Sequence, residues 1–321
     1  MVCLQRACER IGFVSAKVLA QLLLAVMRLL VTRVKRISLL LLLATGAMGL
    51  VLLGSWLLEP RHQGKTARAW LKEMCGGRGS FARDQNAMRS LVTMGNDAAP
   101  VLAEAFTRQD STWKQNLAEW LRQKDWMFIP SERERSSQAY VTLMQIGPNG
   151  RDAIPSLLKA ARSKTHRRRA KAIQLIGVIR RQPRLAMPVL IDCLRETNGY
   201  VRTFAAAAMG AYGAENHPAL PALREALKDP DVYLAVAAAS ALLKIDEKTD
   251  EGWPLLIDEL HSPIPTHRVE AARALGNLGL RAEEALPLLQ KCLEDEDHRV
   301  RRAATLALQQ LATQRIKIGV D

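Results

Sequence analysis

Residues 63–66 read QGKT, the closing part of a phosphate-binding loop, in which backbone N–H groups and a lysine cradle nucleotide phosphates. The full motif needs a second glycine five residues before Gly64, where Glu59 stands, so the match fails. GGRGS (residues 76–80) has neither the spacing nor a preceding strand and reads as a flexible turn. HRRRAKAIQLIGVIRRQPR (residues 166–184) is a different matter: residues 159–184 hold ten Lys or Arg and no Asp or Glu. Basic runs of this kind grip phosphates or acidic partners, but their commoner origin is a solvated helix face.

Cysteine and histidine offer no competing chemistry. Cys3, Cys8, Cys75, Cys193 and Cys292 contain no Cys-x-x-Cys and are odd in number, so neither a metal ribbon nor a disulfide framework is indicated. No Ser-His-Asp or Cys-His arrangement is suggested by residue order. The reading therefore assigns no catalytic residue, no metal and no cofactor. Composition agrees with a plain helical protein, 48% hydrophobic but only 5% aromatic over 321 residues. The net charge of +14 is unevenly spread. Residues 1–58 hold seven basic residues against Glu9 alone, and the remaining 263 residues carry a moderate +8.

The elements that would carry these residues announce themselves by a repeat. Pro155, Pro188, Pro221, Pro254 and Pro287 are each 33 residues apart. The same step joins Ala172, Ala205, Ala238, Ala271 and Ala304, and also Ile176, Met209, Leu242, Leu275 and Leu308. A further slot reads Arg169, Arg202, Ala235, Arg268, Arg301. Apolar residues recur at three- and four-residue spacing within each unit, which predicts two helices per unit. Proline is tolerated in a first helical turn, where its missing N–H would go unpaired anyway. Asp231 and Asp297 stand where N-caps belong. No strand-like alternation is evident.

Ankyrin and tetratricopeptide signatures are absent. Proline in the first helix, an acidic turn, Val-Arg and an alanine-rich second helix together resemble HEAT repeats, above all the short kind found in phycobilin lyases. The resemblance covers residues 83–312 and implies an all-α, right-handed solenoid. It also implies an acid–arginine ladder, matched by Glu196 with Arg202 and by Asp295 with Arg301, with Arg169 and Arg268 in the same arginine slot. The third unit sets Asp229 against Ala235 and leaves a gap. Deoxyhypusine hydroxylases, which are HEAT-like, hold iron through His-Glu pairs, and none of the six histidines here precedes a glutamate.

An earlier, degenerate unit surrounds Pro100, followed by an insertion at residues 111–133 that holds Trp113, Trp120 and Trp126. Trp113, Leu117, Trp120 and Leu121 share a helical face, which predicts an extra helix packed on the solenoid, or else a binding surface. On the following helix Arg167, Lys171 and Gln174 form a stripe opposite Ala172 and Ile176. Arg167, Arg168 and Lys171, with the three tryptophans, are the candidate partner-binding residues. The segment itself has no interleaved aromatic for base stacking, which argues against nucleic acid.

Residues 37–58, opening on Ile37 and closing on Leu58, are uncharged and long enough to cross a bilayer. Arg33, Lys35 and Arg36 precede them, which predicts a single transmembrane anchor with the N-terminus cytoplasmic and the repeats outside. A cleaved signal peptide is the other reading, and translation from Met27 would shorten the basic segment 1–36. HQGKTARAWLKEM, within the linker 59–82 and its short helix, resembles the segment after the anchor in membrane-tethered HEAT proteins. Residues 313–321 form a tail. The expected function is a membrane-anchored scaffold that binds protein without catalysis. The alternatives are an enzyme or accessory resembling phycobilin lyases, and a nucleic-acid-binding HEAT-like protein.

Overall fold

The computed structural model describes residues 59–75, 81–124, 130–165, 167–246 and 248–318. Nearly all of these belong to the second of two units, residues 61–321. Residues 37–58, on which the transmembrane expectation rested, lie outside the described residues, as do Cys3, Cys8, Trp126 and His166. Among the described residues no helix is long and apolar enough to cross a membrane. The longest, at 21 residues, carries arginines in its first turn and further polar residues along its length. The expected single-pass placement is accordingly corrected.

The chain enters through a two-stranded hairpin, β1 (Arg61–His62) paired antiparallel with β2 (Lys65–Thr66). Gln63 and Gly64 turn it with φ of 49° and 77°, the doubly positive φ that a tight two-residue turn requires. QGKT is thus a hairpin corner. Lys65 pairs with Glu73 and lies 4.3 Å from the centroid of the Trp70 ring. The Trp70 indole N–H donates to the His62 carbonyl at 3.0 Å.

Among the described residues fifteen α-helices follow: α1 (Ala67–Cys75), α2 (Phe81–Met94), α3 (Ala99–Thr107), α4 (Thr112–Gln123), α5 (Glu132–Ile146), α6 (Ile154–Arg162), α7 (Arg169–Ile179), α8 (Pro183–Leu194), α9 (Gly199–Ala211), α10 (Leu220–Ala226), α11 (Val232–Ile245), α12 (Trp253–Leu260), α13 (Pro265–Leu278), α14 (Leu286–Lys291) and α15 (His298–Ile318). The result is all-α apart from the hairpin, and solenoid-like. Repeat prolines occupy the first turn of α3, α6, α10, α12 and α14. Pro188 is interior, because α8 starts earlier, at Pro183. Each unit packs its proline helix on its second helix, and the second helices stack in turn, α7 on α9, α9 on α11, α11 on α13 and α13 on α15. The short helix of the expected linker, α1, buries Ala67, Trp70, Met74 and Cys75 in the same core as the repeats.

Two contacts recur between stacked second helices. The first is backbone apposition. A methyl group placed on Gly177 would sit 2.8 Å from Ala208 Cα, one on Gly210 2.7 Å from Ala241 Cα, and one on Gly276 2.7 Å from Ala307 Cα. Only a residue without a Cβ permits so close an approach, and the three glycines share one slot of the 33-residue repeat. The second is an arginine rung, whose direction differs from the expected one. Arg169 donates to the Ala161 carbonyl of its own unit at 3.0 Å, but its charge partner lies in the next unit. It reaches 27 residues forward to Glu196 in a bidentate pair at 2.8 and 3.3 Å. Arg268 grips Asp295 in the same way at 2.7 and 2.8 Å. Arg202 reaches Asp229 at 2.6 Å and lies 3.5 Å from Asp231. The expected Glu196–Arg202 and Asp295–Arg301 pairs therefore do not form as charge pairs. Glu196 belongs to Arg169, and Arg301 donates to the backbone carbonyls of Asp295 and Glu296. Asp229 is likewise no gap. The Arg169 guanidinium holds the Glu196 carboxyl below its ordinary value, as Arg268 does for Asp295.

The true gap lies one unit on. Counting 27 residues from Ala235 gives Ser262, so arginine and acid are lost together, and Leu243 replaces glycine in the apposition slot. At that junction the buried side chains fall into two clusters, one ending on α11 with Leu242 and Ile245, the other starting there with Val236, Ala239 and Leu243. Arg281 bridges the junction instead, donating to the carbonyls of Leu243, Asp246 and Thr249 at the end of α11.

A double-mutant cycle measured by urea denaturation reads the rung's direction. Arg169→Ala and Glu196→Ala should couple by about 1–3 kcal/mol, whereas Arg202→Ala and Glu196→Ala should add to within about 0.5 kcal/mol. Coupling of the second pair instead would place the rung within the unit. Apposition has its own test: Gly210→Ala should destabilise the protein by roughly 1–3 kcal/mol through overpacking, although alanine is the better helix former by about 1 kcal/mol. A stabilised variant would mean that the two backbones have room to spare.

Candidate functional site

The basic stripe lies on the exposed face of the second helices, and the fold supplies the aromatic neighbours that the segment lacks. A groove of about 540 Å³ is lined by Arg133, Ser137 and Tyr140 of α5, by Arg167, Lys171 and Gln174 at and along α7, and by Tyr200 and Phe204 of α9. Helical periodicity explains the arrangement. Ala172 and Ile176 point inward and are fully buried, so Arg167 and Lys171 point out. Tyr200 sits one 33-residue step from Arg167 and is 78% exposed, and Tyr233, a further step on, is also exposed.

Tyr140 organises the groove floor. Its hydroxyl donates to Gln174 Oε1 at 2.6 Å, its ring centroid is 6.0 Å from that of Phe106, and Lys171 Nζ lies 5.2 Å from the ring. Burial pushes the Tyr140 hydroxyl up, which keeps it a neutral donor. Arg133, Arg167 and Lys171 have no ion-pair partner among the described residues. Helices α7, α9 and α11 contain no Asp or Glu. These three helices therefore present no acid to the groove, and its free cations are Arg133, Arg167 and Lys171.

Arg168 differs from its neighbours. Its side chain is only 16% exposed, and it donates to Glu132 Oε1 at 2.5 Å and to the carbonyls of Phe106 and Arg108 at 3.3 and 3.4 Å. Burial pushes the Glu132 carboxyl up, but the Asp110 amide, Arg168 and Gln115 outweigh it, and the net shift is downward. Arg168 thus ties the end of α3 to the start of α5 and is part of the framework, not of a free stripe.

The insertion departs from its expected packing. Trp113, Leu117 and Trp120 are 63%, 46% and 46% exposed, so this face of α4 is turned away from the core. Polar anchors at its base explain why. The Asp110 amide and the Gln115 amide both donate to Glu132 Oε2, and Asp110 also pairs with Arg108 and Arg135. A second cavity, of about 780 Å³, lies between α4 and α5. Trp113, Leu117 and Lys114 line it, and it shares Arg133, Arg167 and Arg168 with the first. The structure therefore brings Trp113 to Arg167 and Arg168 around this cavity. Trp120 does not line either cavity.

No three His, Cys, Asp or Glu side chains gather into a metal-binding group among the described residues. Ser262, His267 and Glu259 do approach one another, but Ser262 Oγ at 3.3 Å and Glu259 Oε2 at 3.2 Å both face His267 Nδ1. A proton relay needs one partner on each ring nitrogen. Cys75, Cys193 and Cys292 are buried free thiols, pushed up by that burial, Cys75 to about 11. Raised thiols are poor nucleophiles.

The family model described as HEAT repeats matches residues 187–251 and 253–317. These two segments carry HEAT repeats. Solved structures it resembles include the complex of CpcE and CpcF of phycocyanin lyase from Nostoc sp. PCC7120, at 20% identity over 78% of this chain and 98% of that one, TM-score 0.47. Human deoxyhypusine hydroxylase aligns at 18% identity over 77% and 96%, TM-score 0.30, and Kap121p at 14% over 77% and 33%, TM-score 0.35. Nothing about this chain's activity rests on likenesses so distant. No curated protein matches the chain. The HEAT matches take in α9 of the groove, while α5 and α7 lie before the matched residues.

The two adjacent arginines separate framework from surface. Arg168→Ala should cost about 1–3 kcal/mol of stability in thermal or urea denaturation, because Glu132 is left half-buried without its cation. Arg167→Ala should change stability by less than about 0.5 kcal/mol. Equal losses would mean that Arg167 is also structural.

Proposed function

We propose that the chain is a non-catalytic HEAT-repeat scaffold that binds protein through the exposed face of α5, α7 and α9. One observation carries this reading: Tyr200, 78% exposed, stands in a groove with Tyr140, Phe204 and three cations that have no ion-pair partner among the described residues. Tyrosine and arginine are the side chains that most often anchor protein interfaces, since each combines broad contact area with directional hydrogen bonding. Stacked repeats add the long continuous surface on which such anchors can be spread.

An unbiased peptide-display selection on the full-length chain tests the reading. Peptides recovered on the wild-type protein should lose about ten-fold or more in affinity on Tyr200→Ala, the loss typical of an interface anchor. Recovery of no peptide, or of peptides indifferent to Tyr200→Ala and to Arg167→Ala, would remove the groove as the binding site.

A further inference from the structure

We propose that the groove's occupant is an acidic polypeptide segment, its carboxylates taken by Arg133, Arg167 and Lys171 and an apolar or aromatic side chain packed on Tyr200 and Phe204. This rests on the scaffold reading and names the partner's chemistry.

Charge complementarity carries the proposal. The cations of the groove are of two kinds. Arg168 is already neutralised by Glu132 at 2.5 Å, and beside the groove Arg108 and Arg135 are neutralised by Asp110. Arg133, Arg167 and Lys171 are exposed, face one cavity and have no carboxylate within it. The helices α7, α9 and α11 that extend the face carry no acid, so an entering carboxylate meets no like charge along them. Three cations without an ion pair line one groove, and a partner's carboxylates would neutralise them while forming charge-assisted hydrogen bonds. The aromatic wall supplies the non-polar contact that fixes register, which charge alone does not.

Other occupants fit less well. Residues 1–58 of the same chain hold seven basic residues and one acidic residue, the wrong sign. Single-stranded nucleic acid binds by stacking successive bases on successive open rings. In this groove Lys171 lies against the Tyr140 ring, Phe106 packs beside it and Phe204 is half-buried, which leaves Tyr200 as the open platform. One open ring favours a single side-chain anchor over a run of bases.

The test is fluorescence anisotropy on the full-length chain with a labelled 20-residue poly-L-glutamate, and with labelled oligothymidylate of the same length. The expected result is saturable polyglutamate binding at low salt. The double reversal Arg167→Glu with Lys171→Glu should weaken it by about ten-fold or more, and salt should weaken it as screening demands. Lys159→Glu with Arg162→Glu, an equal change of charge on α6 outside the groove, should stay within about two-fold of wild type. Circular dichroism on both variants checks that the helices persist. Equal losses in the two variants would reduce the effect to net charge and overturn the proposal, as would absence of saturable polyglutamate binding. Tighter oligothymidylate binding, lost with the groove reversal, would make this a nucleic-acid groove. Self-association in sedimentation, lost with the same reversal, would make the occupant a second copy. If displayed peptides depend on Tyr200 yet are neutral or basic, the acidic proposal falls and the scaffold reading stands. If neither polyglutamate nor any displayed peptide depends on the groove residues, the scaffold reading falls with the proposal.

Discussion

Everything in this fold depends on how closely one second helix can approach the next. At Gly177, Gly210 and Gly276 the facing helix presents an alanine backbone less than 3 Å from where a Cβ would stand. Such contact leaves no space for side chains between the axes, so the larger residues are directed to the sides of the seam. There Ile173, Leu175 and Ile176 on α7 fill the core. It also brings the start of one second helix beside the turn of the following unit, within reach of an arginine. The rungs Arg169–Glu196, Arg202–Asp229 and Arg268–Asp295 are consequences of that approach. All three are partly buried, and the Arg169 and Arg268 rungs are bidentate, the condition under which an ion pair offsets its own desolvation.

Where glycine is missing, the rung is missing too. Leu243 stands in the glycine slot of α11, Ala235 in the arginine slot, and Ser262 in the acid slot of the next unit. A leucine between the helices holds them further apart, and an arginine there would lose its partner, so the substitutions belong together. The break between two core clusters on α11 follows from the same spacing. Arg281 replaces the lost rung from another direction, by donating to carbonyls that the end of α11 would otherwise leave unpaired.

The 33-residue step made the helix pairs, the buried alanines and the outward stripe at Arg167 and Lys171 legible before any coordinate. The partner of each arginine was not, because a repeat supplies several equivalent acids. Six residues back within the unit and 27 residues forward in the next both satisfy the period, and only the tilt of stacked helices chooses between them. Arg168 was misread for a related reason: its role depends on Glu132, in an insertion that follows no period. The open face of α4 was hidden too, since Trp113, Leu117 and Trp120 have the spacing of a packed helix, and the polar anchors at Asp110 and Glu132 that turn them outward are not periodic. Tyr140 and Tyr200 could have been noticed. Three of the chain's four tyrosines, Tyr140, Tyr200 and Tyr233, lie on exposed or half-exposed positions of second helices, and two of them are one period apart.

The groove coincides with a second interruption of the repeat. Between α5 and α7 the arginine slot holds Ser136, the acid slot Ser163, and the apposition slot Met144 against Leu175. Neither regular contact can form there. Arg168 and Glu132, both outside the repeat's own slots, hold that junction together. A junction freed from the regular spacing can part at its exposed edge, and the space is lined by whatever the neighbouring turns present, here Arg133, Arg167 and Tyr140. Local rules are most often broken where a protein has been shaped for something other than stability. The interruption at α11 is closed again by Arg281, whereas the interruption at α5 is left open, lined with cations and rings. That asymmetry between two otherwise similar breaks is the reason to place binding at the second.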